Sequence, residues 1–329
     1  MTSISPSGFT VRAPTLDDVQ PATDMLNACA CAEGRKITFT PEDVRSKWQA
    51  PFFASHLQTD AWVVLAPDGQ IVGYADVEWR SQGRFGAVAY VHPDHTGKGI
   101  GRHLVRLIEA RARQRIPEEP PDVRVTLTNF INHANTAACN LLGQEGYRPE
   151  QYDWIMEIEL KEAPQPPAWP EGIALRAFVA GQDDRAVHNA WEEAFADHRG
   201  HIPIPFEEWY QRMQQRENFD PSLWFLAMDG AEIAGIALCS AQAGRADVED
   251  LAVRRPWRRK GLGIALLRHA FGECYRRGLQ TVALGVDAES LTGATRLYER
   301  AGMHILWQYD RYRKELRPGI DRSVQALVG

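Results

Sequence analysis

The sequence lacks any apolar run near the roughly 18 residues that span a membrane. Its first residues, MTSISPSGFTVRAPTLDD, hold neither the basic start nor the apolar core of a secretory signal, so a cytoplasmic location is expected. Excess positive charge is missing too: 37 Lys and Arg face 43 Asp and Glu, a formal net charge of −6. Nucleic acid and anionic membrane are therefore not expected as partners, since both call for a basic face, and a small cationic substrate suits the charge better. Cysteine is scarce and odd in number, five in 329 residues, which argues against a disulfide framework. Cys29 and Cys31 form a C-x-C, but no second Cys or His pair stands at zinc-ligand spacing, so no metal is expected.

What is present is ordinary globular composition, 44% hydrophobic and 24% charged, in a chain long enough for two domains. It also repeats itself. FTVRAPTLDD (9–18) matches IALRAFVAGQDD (173–184), and AWVVLAPDGQIVGYADV (61–77) matches SLWFLAMDGAEIAGIALC (222–239). Trp62 and Trp224, Gly73 and Gly235, Val91 and Val253, and Gly99 and Gly261 are each 162 residues apart. Between the copies, ELKEAPQPPAWPEG (159–172) carries four prolines, which favour an extended spacer over helix or strand. The expected domains are therefore 1–160 and 173–318, joined by a linker at 161–172.

Each copy has the same predicted order. An opening strand (TVRA, ALRA) precedes a helical region, and an aromatic-rich strand (WVVLA, WFLAM) then turns through Asp68-Gly69 or Asp229-Gly230 into a second strand, a hairpin signature. A third strand (AVAYV, VEDLAV) leads into VHPDHTGKGIG or VRRPWRRKGLG, and an amphipathic helix follows with Leu104 and Ile108, or Leu262 and Leu266, at helical spacing. A β-rich segment, a short helix ending in glycine and a closing strand complete the copy. The order predicts an α/β (α+β) fold of two tandem domains, each a mixed, mostly antiparallel sheet flanked by helices.

A strand that ends in a glycine turn and feeds a helix N-terminus presents unpaired amides and a favourable dipole to an anion, phosphate above all. The turn is not a Walker A loop, because Lys260 precedes Gly261 and no Ser or Thr follows a Gly-Lys pair. Nor is it a dinucleotide fingerprint, which needs a third glycine where His103-Leu104 and Ala265-Leu266 stand. With its preceding strand and following helix, LAVRRPWRRKGLGIALL instead resembles motif A of the GNAT family of acyl-CoA-dependent N-acyltransferases. GVDAESLTGATRLYERAGM resembles that family's downstream segment, although Ser290 stands near the usual Asn. The resemblance extends over both copies and implies acetyl-CoA as co-substrate. It implies further that Leu251, Ala252 and Val253 line the pantetheine arm and that Arg258, Arg259, Lys260, Gly261, Leu262, Gly263 and Ile264 wrap the pyrophosphate, with Ser290 nearby. A second CoA site would use Tyr90, Val91, Gly97, Lys98, Gly99, Ile100 and Gly101.

Acyl transfer from a thioester to an amine needs a neutral amine, a stabilised oxyanion and a proton for the thiolate. In the second copy Asp247, Glu249, Leu251 and Val253 share strand parity, so a regular strand would present all four on one face, with either acid as base and Glu249 favoured. The resemblance makes Tyr298 the proton donor and the backbone amide of Val253 an oxyanion donor. Aligned by sequence, the first copy has Phe85, Ala87 and Ala89 for the strand acids and their neighbour, and Leu142 for Tyr298. The expectation is an N-acetyltransferase of a small-molecule primary amine, monomeric or homodimeric, with chemistry in the C-terminal copy and a non-catalytic N-terminal one. Its competitors are a protein or peptide acetyltransferase and a CoA-binding protein without turnover. Residues 198–213, HRGHIPIPFEEWYQRM, are expected near the acceptor, with Trp209 packed as a core residue.

Overall fold

The computed structural model describes residues 6, 8–35, 39–198, 201–214, 219–242, 244–289 and 293–321, with the backbone alone at 51, 52, 81, 212 and 214. The chain forms two compact units. Among the described residues, unit 1 gathers those up to Tyr152 together with Tyr309–Asp321, and unit 2 gathers those within Asp153–Gln308.

The first copy runs β1 (Thr10–Arg12), α1 (Val19–Ala32), α2 (Pro41–Gln49), α3 (Pro51–Ala54), α4 (Leu57–Asp60), β2 (Ala61–Leu65), β3 (Ile71–Ser81), β4 (Arg84–Val91), α5 (Ile100–Arg115), β5 (Val125–Asn132), α6 (Thr136–Gln144) and β6 (Arg148–Glu159). The second runs β7 (Ile173–Ala177), α7 (Asp184–Phe195), α8 (Phe206–Gln214), β8 (Trp224–Asp229), β9 (Glu232–Gln242), β10 (Arg245–Val253), α9 (Leu262–Arg276), β11 (Thr281–Asp287), α10 (Ala294–Arg300) and β12 (His304–Arg317). Local chemistry sets several of these boundaries. Gly69 and Gly230 take positive φ (87° and 58°) at the two hairpin turns. A capping box between Thr40 and Asp43, with Pro41 at the first helical position, starts α2.

The closing strands are exchanged between the units. In unit 1 the sheet order is β1-β2-β3-β4-β5, and β5 then pairs antiparallel with Tyr309–Arg317 of β12. In unit 2 the order is β7-β8-β9-β10-β11, and β11 pairs with Asp153–Glu159 of β6. The sequence copies 1–160 and 173–318 and the compact units are therefore different sets of residues. Each sheet is antiparallel except at one join, β4 with β5 and β10 with β11.

One core lies on each face of each sheet. In unit 1, α5 buries Leu104 and Ile108 against one face, while α1 and α2 bury Met25 and Trp48 on the other. In unit 2, α9 buries Leu266 and Phe271 on one face, and α7 and α8 bury Val187 and Trp209 on the other. Trp209 is 3% exposed, the packed role expected for it. Among the described residues no helix is long and apolar enough to cross a membrane, and no group of three or more His, Cys, Asp and Glu is placed to hold a metal ion.

The spacing of 162 residues survives at three of its four landmarks. Gly73 pairs with Val91 as Gly235 pairs with Val253, and Gly99 and Gly261 both cap helices in the left-handed region. The tryptophans do not correspond. Trp62 lies opposite Ala75, whereas the residue opposite Ala237 is Phe225, so Trp224 is one position out of register. It packs toward α7 and α8, while Trp62 packs toward α5.

Candidate active site

The glycine turn has one geometry in both units. Positive φ falls at Gly97 (76°) and Gly99 (82°) in one, and at Arg259 (64°) and Gly261 (85°) in the other. Arg259 thus holds a left-handed conformation that Gly97 adopts without a Cβ penalty. The first helical bonds are His103 N to Gly99 O (3.1 Å) and Ala265 N to Gly261 O (3.2 Å). The amides of residues 100–102 and 262–264 precede them and have no intrahelical acceptor, an anion cradle at the positive end of the dipole. The last glycine serves packing instead of phosphate approach: a Cβ at Gly101 would meet Leu141 Cδ2 at 3.2 Å, and one at Gly263 would meet Leu297 Cδ1 at 3.0 Å.

The cationic side chains divide. Arg259 and Lys260 are exposed at the turn. Arg258, expected on the pyrophosphate, is a brace: its guanidinium donates to Val253 O (Nε, 3.0 Å), Asp197 Oδ2 (2.7 Å) and Ala194 O (2.9 Å). In unit 1, Lys98 Nζ stands 3.3 Å from His95 Nδ1.

Beside each turn the parallel join opens into a wedge. β4 and β5 pair only from Arg84–Thr126 to Ala87–Asn129, and β10 and β11 only from Arg245–Thr281 to Asp247–Ala283. The amide of Arg254 bonds to Ala234 O (3.0 Å) and that of His92 to Val72 O (2.9 Å). By strand alternation the amides of Leu251 and Val253, and of Val91, face their wedges, where a pantetheine arm or an oxyanion would find them. In unit 1 the wedge holds a cavity of about 420 Å³ lined by residues 88–91, by Thr96, Gly97, Gly99, Ile100 and Gly101 of the turn, and by residues 129–132. Tyr90, Val91, Gly97, Gly99, Ile100 and Gly101 of the expected second site all line it, and Lys98 does not. Ser290 lies outside the described residues.

The predicted single face for Asp247, Glu249, Leu251 and Val253 is corrected by a β-bulge. Val248 lies opposite Cys239 and Asp250 opposite Leu238, leaving Glu249 as the extra residue. Ala246 and Val248 pack toward α9, as do Leu251 and Val253 beyond the bulge. Asp247 therefore faces the α7–α8 side, away from Leu251 and Val253. Arg245 holds it through an NH2 to Oδ1 bond of 2.7 Å. Glu249 is exposed and accepts from Ser240 Oγ (2.8 Å), the cross-strand partner of Asp247. Sequence parity missed a third acid on this side: Asp250, half-buried, accepts from Trp191 Nε1 at 2.8 Å. The adjacent Glu-Asp pair on a strand was the available signal.

The bulge also changes which residues correspond. Val88 lies opposite Asp76 as Asp250 lies opposite Leu238, and Glu78–Gly86 matches Ser240–Asp247, so Glu249 has no counterpart in unit 1 and Asp247 stands where Gly86 does. Unit 1 carries acids off this strand: Glu33 lines its cavity, and Glu78, opposite Gly86, and Asp76 stand on the neighbouring strand. Asp76, 2% exposed, accepts from Tyr74 Oη (2.6 Å) and from Lys47, and Trp48 Nε1 donates to Tyr74 Oη (3.0 Å), so this carboxylate is locked in a filled pocket.

Tyr298 on α10 is 8% exposed, and burial pushes its phenol up to about 12. It therefore stays protonated at neutral pH, as a proton donor must. Its counterpart Leu142 is buried in the core of unit 1.

The sequence profile of the acetyltransferase (GNAT) family matches residues 30–147 and again 184–303. A mycothiol acetyltransferase of Salinispora arenicola is 31% identical over 316 residues, covering 92% of this chain and 96% of that protein. Among solved structures, a GCN5-related N-acetyltransferase from Sphaerobacter thermophilus superposes with a TM-score of 0.87 at 42% identity, covering 97% of this chain and 99% of that one. A tandem GNAT protein from the clavulanic acid biosynthesis pathway shares the fold, with a TM-score of 0.71 at 17% identity over 95% of this chain and all of its own. With two turn-and-wedge sites, each inside a profile match, this chain belongs to the acetyltransferase (GNAT) family, as two GNAT domains in tandem.

Proposed function

We propose that unit 2 transfers an acetyl group from acetyl-CoA to the primary amine of a small molecule by direct attack, and that unit 1 is a CoA seat without turnover. The observation that carries this reading is the contrast across the two wedges. Unit 2 carries Asp247, Glu249 and Asp250 on β10, the strand that borders its wedge, and on α10 the Tyr298 phenol, kept protonated by burial. Unit 1 has a glycine, no counterpart to Glu249, a locked Asp76 and a leucine.

In unit 2 the amides of residues 262–264, with Arg259 and Lys260, hold the pyrophosphate. The wedge-facing amides of Leu251 and Val253 hold the pantetheine arm, and that of Val253 stabilises the oxyanion. Glu249, exposed at the bulge, takes the proton from the amine nitrogen as it attacks the thioester carbon, and Tyr298 protonates the sulfur as the C–S bond breaks. Asp247 is the alternative base. The acidic acceptor side suits a cation, in keeping with the absence of a basic cluster in 198–213.

The identity to a mycothiol acetyltransferase over most of the chain favours a more specific second reading, in which the acceptor is the one that enzyme acetylates. Both readings are tested by thiol release from acetyl-CoA over a panel of small amines that includes the mycothiol acetyltransferase acceptor. Amine-dependent release is expected, and Glu249→Gln and Tyr298→Phe should each lower kcat by about 10²-fold or more with little change in acetyl-CoA affinity. Release with peptides alone points to a protein acetyltransferase. CoA binding without release from any amine removes the enzymatic reading in favour of a binding protein.

A further inference from the structure

The sheet of unit 1 gathers arginines on the face away from α5. Phe85 and Ala87 pack toward α5, so Arg84 and Gly86 between and before them point to the side of α1 and α2. Gly86 pairs with Thr128 on β5, and on β12 Arg313 lies opposite Thr128 and Arg311 opposite Phe130, so these positions share that face. Arg80 of β3 reaches the same place, since a Cβ at Gly86 would run into its guanidinium. The centre of the Phe130 ring is 5.5 Å from Arg80 Cζ and 5.2 Å from Arg311 Cζ. Burial and the charges of Arg313, Arg80 and Arg311 hold the Arg84 guanidinium below its ordinary pKa, against the opposing pull of Asp321.

Register maps these positions onto unit 2, where the charge is reversed. Arg84 corresponds to Arg245 and Gly86 to Asp247, and on the closing strands Glu157 stands where Arg313 does and Ile155 where Arg311 does. Arg245 there meets two acids, Asp247 Oδ1 at 2.7 Å and Glu157 Oε2 at 3.8 Å. In unit 1 the same arginine has a glycine and another arginine at those positions. Carboxylates answer part of its charge: Glu78 is 3.5 Å from Arg80, Glu150 is 2.7 Å from Arg313, and Asp321 is 3.2 Å from Arg124, which Glu315 also pairs. Arg311 donates to the neutral Gln151 Oε1 at 3.1 Å.

We propose that this patch of unit 1 binds a small polyvalent oxyanion, a polycarboxylate or a phosphoryl group, between the guanidiniums of Arg80, Arg84, Arg311 and Arg313. The planar guanidinium fork matches the paired oxygens of either group. Arg80 is exposed and Arg311 and Arg313 are half-buried, so the anion reaches them from solvent. Like charges held together at a half-buried face repel, and a bound anion turns that repulsion into attraction. Neither the site nor its test requires unit 1 to hold CoA.

The test is calorimetric titration of the full-length chain with citrate and with inorganic phosphate at constant ionic strength, repeated on Arg311→Gln and Arg80→Gln. At least one of the two anions is expected to bind with an equivalent that each substitution weakens about tenfold or more. Arg80→Gln changes an exposed side chain and carries the test should Arg311→Gln fail to fold, which a thermal melt without anion shows. Tighter binding of citrate assigns the site to polycarboxylates, and tighter binding of phosphate assigns it to phosphoryl groups. Failure of both anions to bind overturns the proposal. So does binding that keeps its affinity in the folded variants, because an anion indifferent to these arginines is held elsewhere, as in the glycine turns.

Discussion

Arg258 shows how a residue can sit in a motif and work outside it. By position it opens the phosphate turn, yet its guanidinium ties the end of β10 to the last turn of α7 and to Asp197. Arg255 and Arg258 together hold the Asp197 carboxyl well below the usual carboxylate range through hydrogen bonds and charge. A carboxyl depressed in the folded state stabilises it above the unfolded pKa of about 3.9, and that contribution is lost as pH falls toward the folded value. Asp197→Asn is therefore expected to lower the melting temperature at pH 7 by about 2–4 °C, the scale of a partly exposed ion pair. The gap to wild type should narrow as the pH drops from 4 to 2, which thermal unfolding across that range measures; a gap independent of pH would assign the effect to packing. The sequence shows Arg258 beside the glycines. It does not show an aspartate 61 residues away that claims the side chain first.

At the scale of the elements, the tandem sheets, the hairpin turns and the phosphate-cradling helices were legible, because each rests on local chemistry: Asp-Gly pairs, glycines at positive φ and apolar residues at helical spacing. The wedge acids were legible only in kind. An extra residue in a strand changes no residue type, so strand parity carried Asp247 onto the face of Leu251 and hid Asp250. The single-residue slip at Trp62 and Trp224 has another source, the hairpin connection: residues 66–70 join Leu65 to Ile71, and the shorter 229–232 joins their counterparts Met228 and Ile233. Glycines at the strand and helix joins make another element-scale point, since space decides whether one can be replaced. A Cβ at Gly235 would lie 2.9 Å from Ala252 O, on a backbone that cannot give, and 3.0 Å from Leu266 Cδ1. At Gly263 the obstacle is the tip of Leu297, which can turn aside. Gly235→Ala should cost about 1–3 kcal/mol, on the order of 2–10 °C, and Gly263→Ala less than about 1 kcal/mol. Calorimetric melting of both variants decides it, and equal losses would mean that β9 yields as readily as a leucine side chain.

For the whole molecule, the repeat in the sequence and the units of the fold divide the chain differently, and the physical reason is the exchange of closing strands. A repeat is read from residue types, which place β6 in the first copy and β12 in the second. The pairing is set by which exposed strand edge each closing strand covers. Unit 1 needs Tyr309–Arg317 to cover the edge of β5, and Tyr312 from that segment is part of its core. Unit 2 needs Asp153–Glu159 to cover β11, and Met156 from that segment is fully buried in its core. A chain cut at the Pro-rich linker therefore leaves each fragment with its own closing strand and without the partner edge. Residues 1–160 expressed alone should fail to give a cooperative thermal transition, and so should 161–329, whereas the two together should recover one. Amide exchange on the recovered pair should protect Leu127 on β5 and Leu284 on β11, which neither fragment protects by itself. A cooperative melt of 1–160 alone, with Leu127 protected, would show that β6 can close its own copy, and the sequence boundaries would then be the folding boundaries as well.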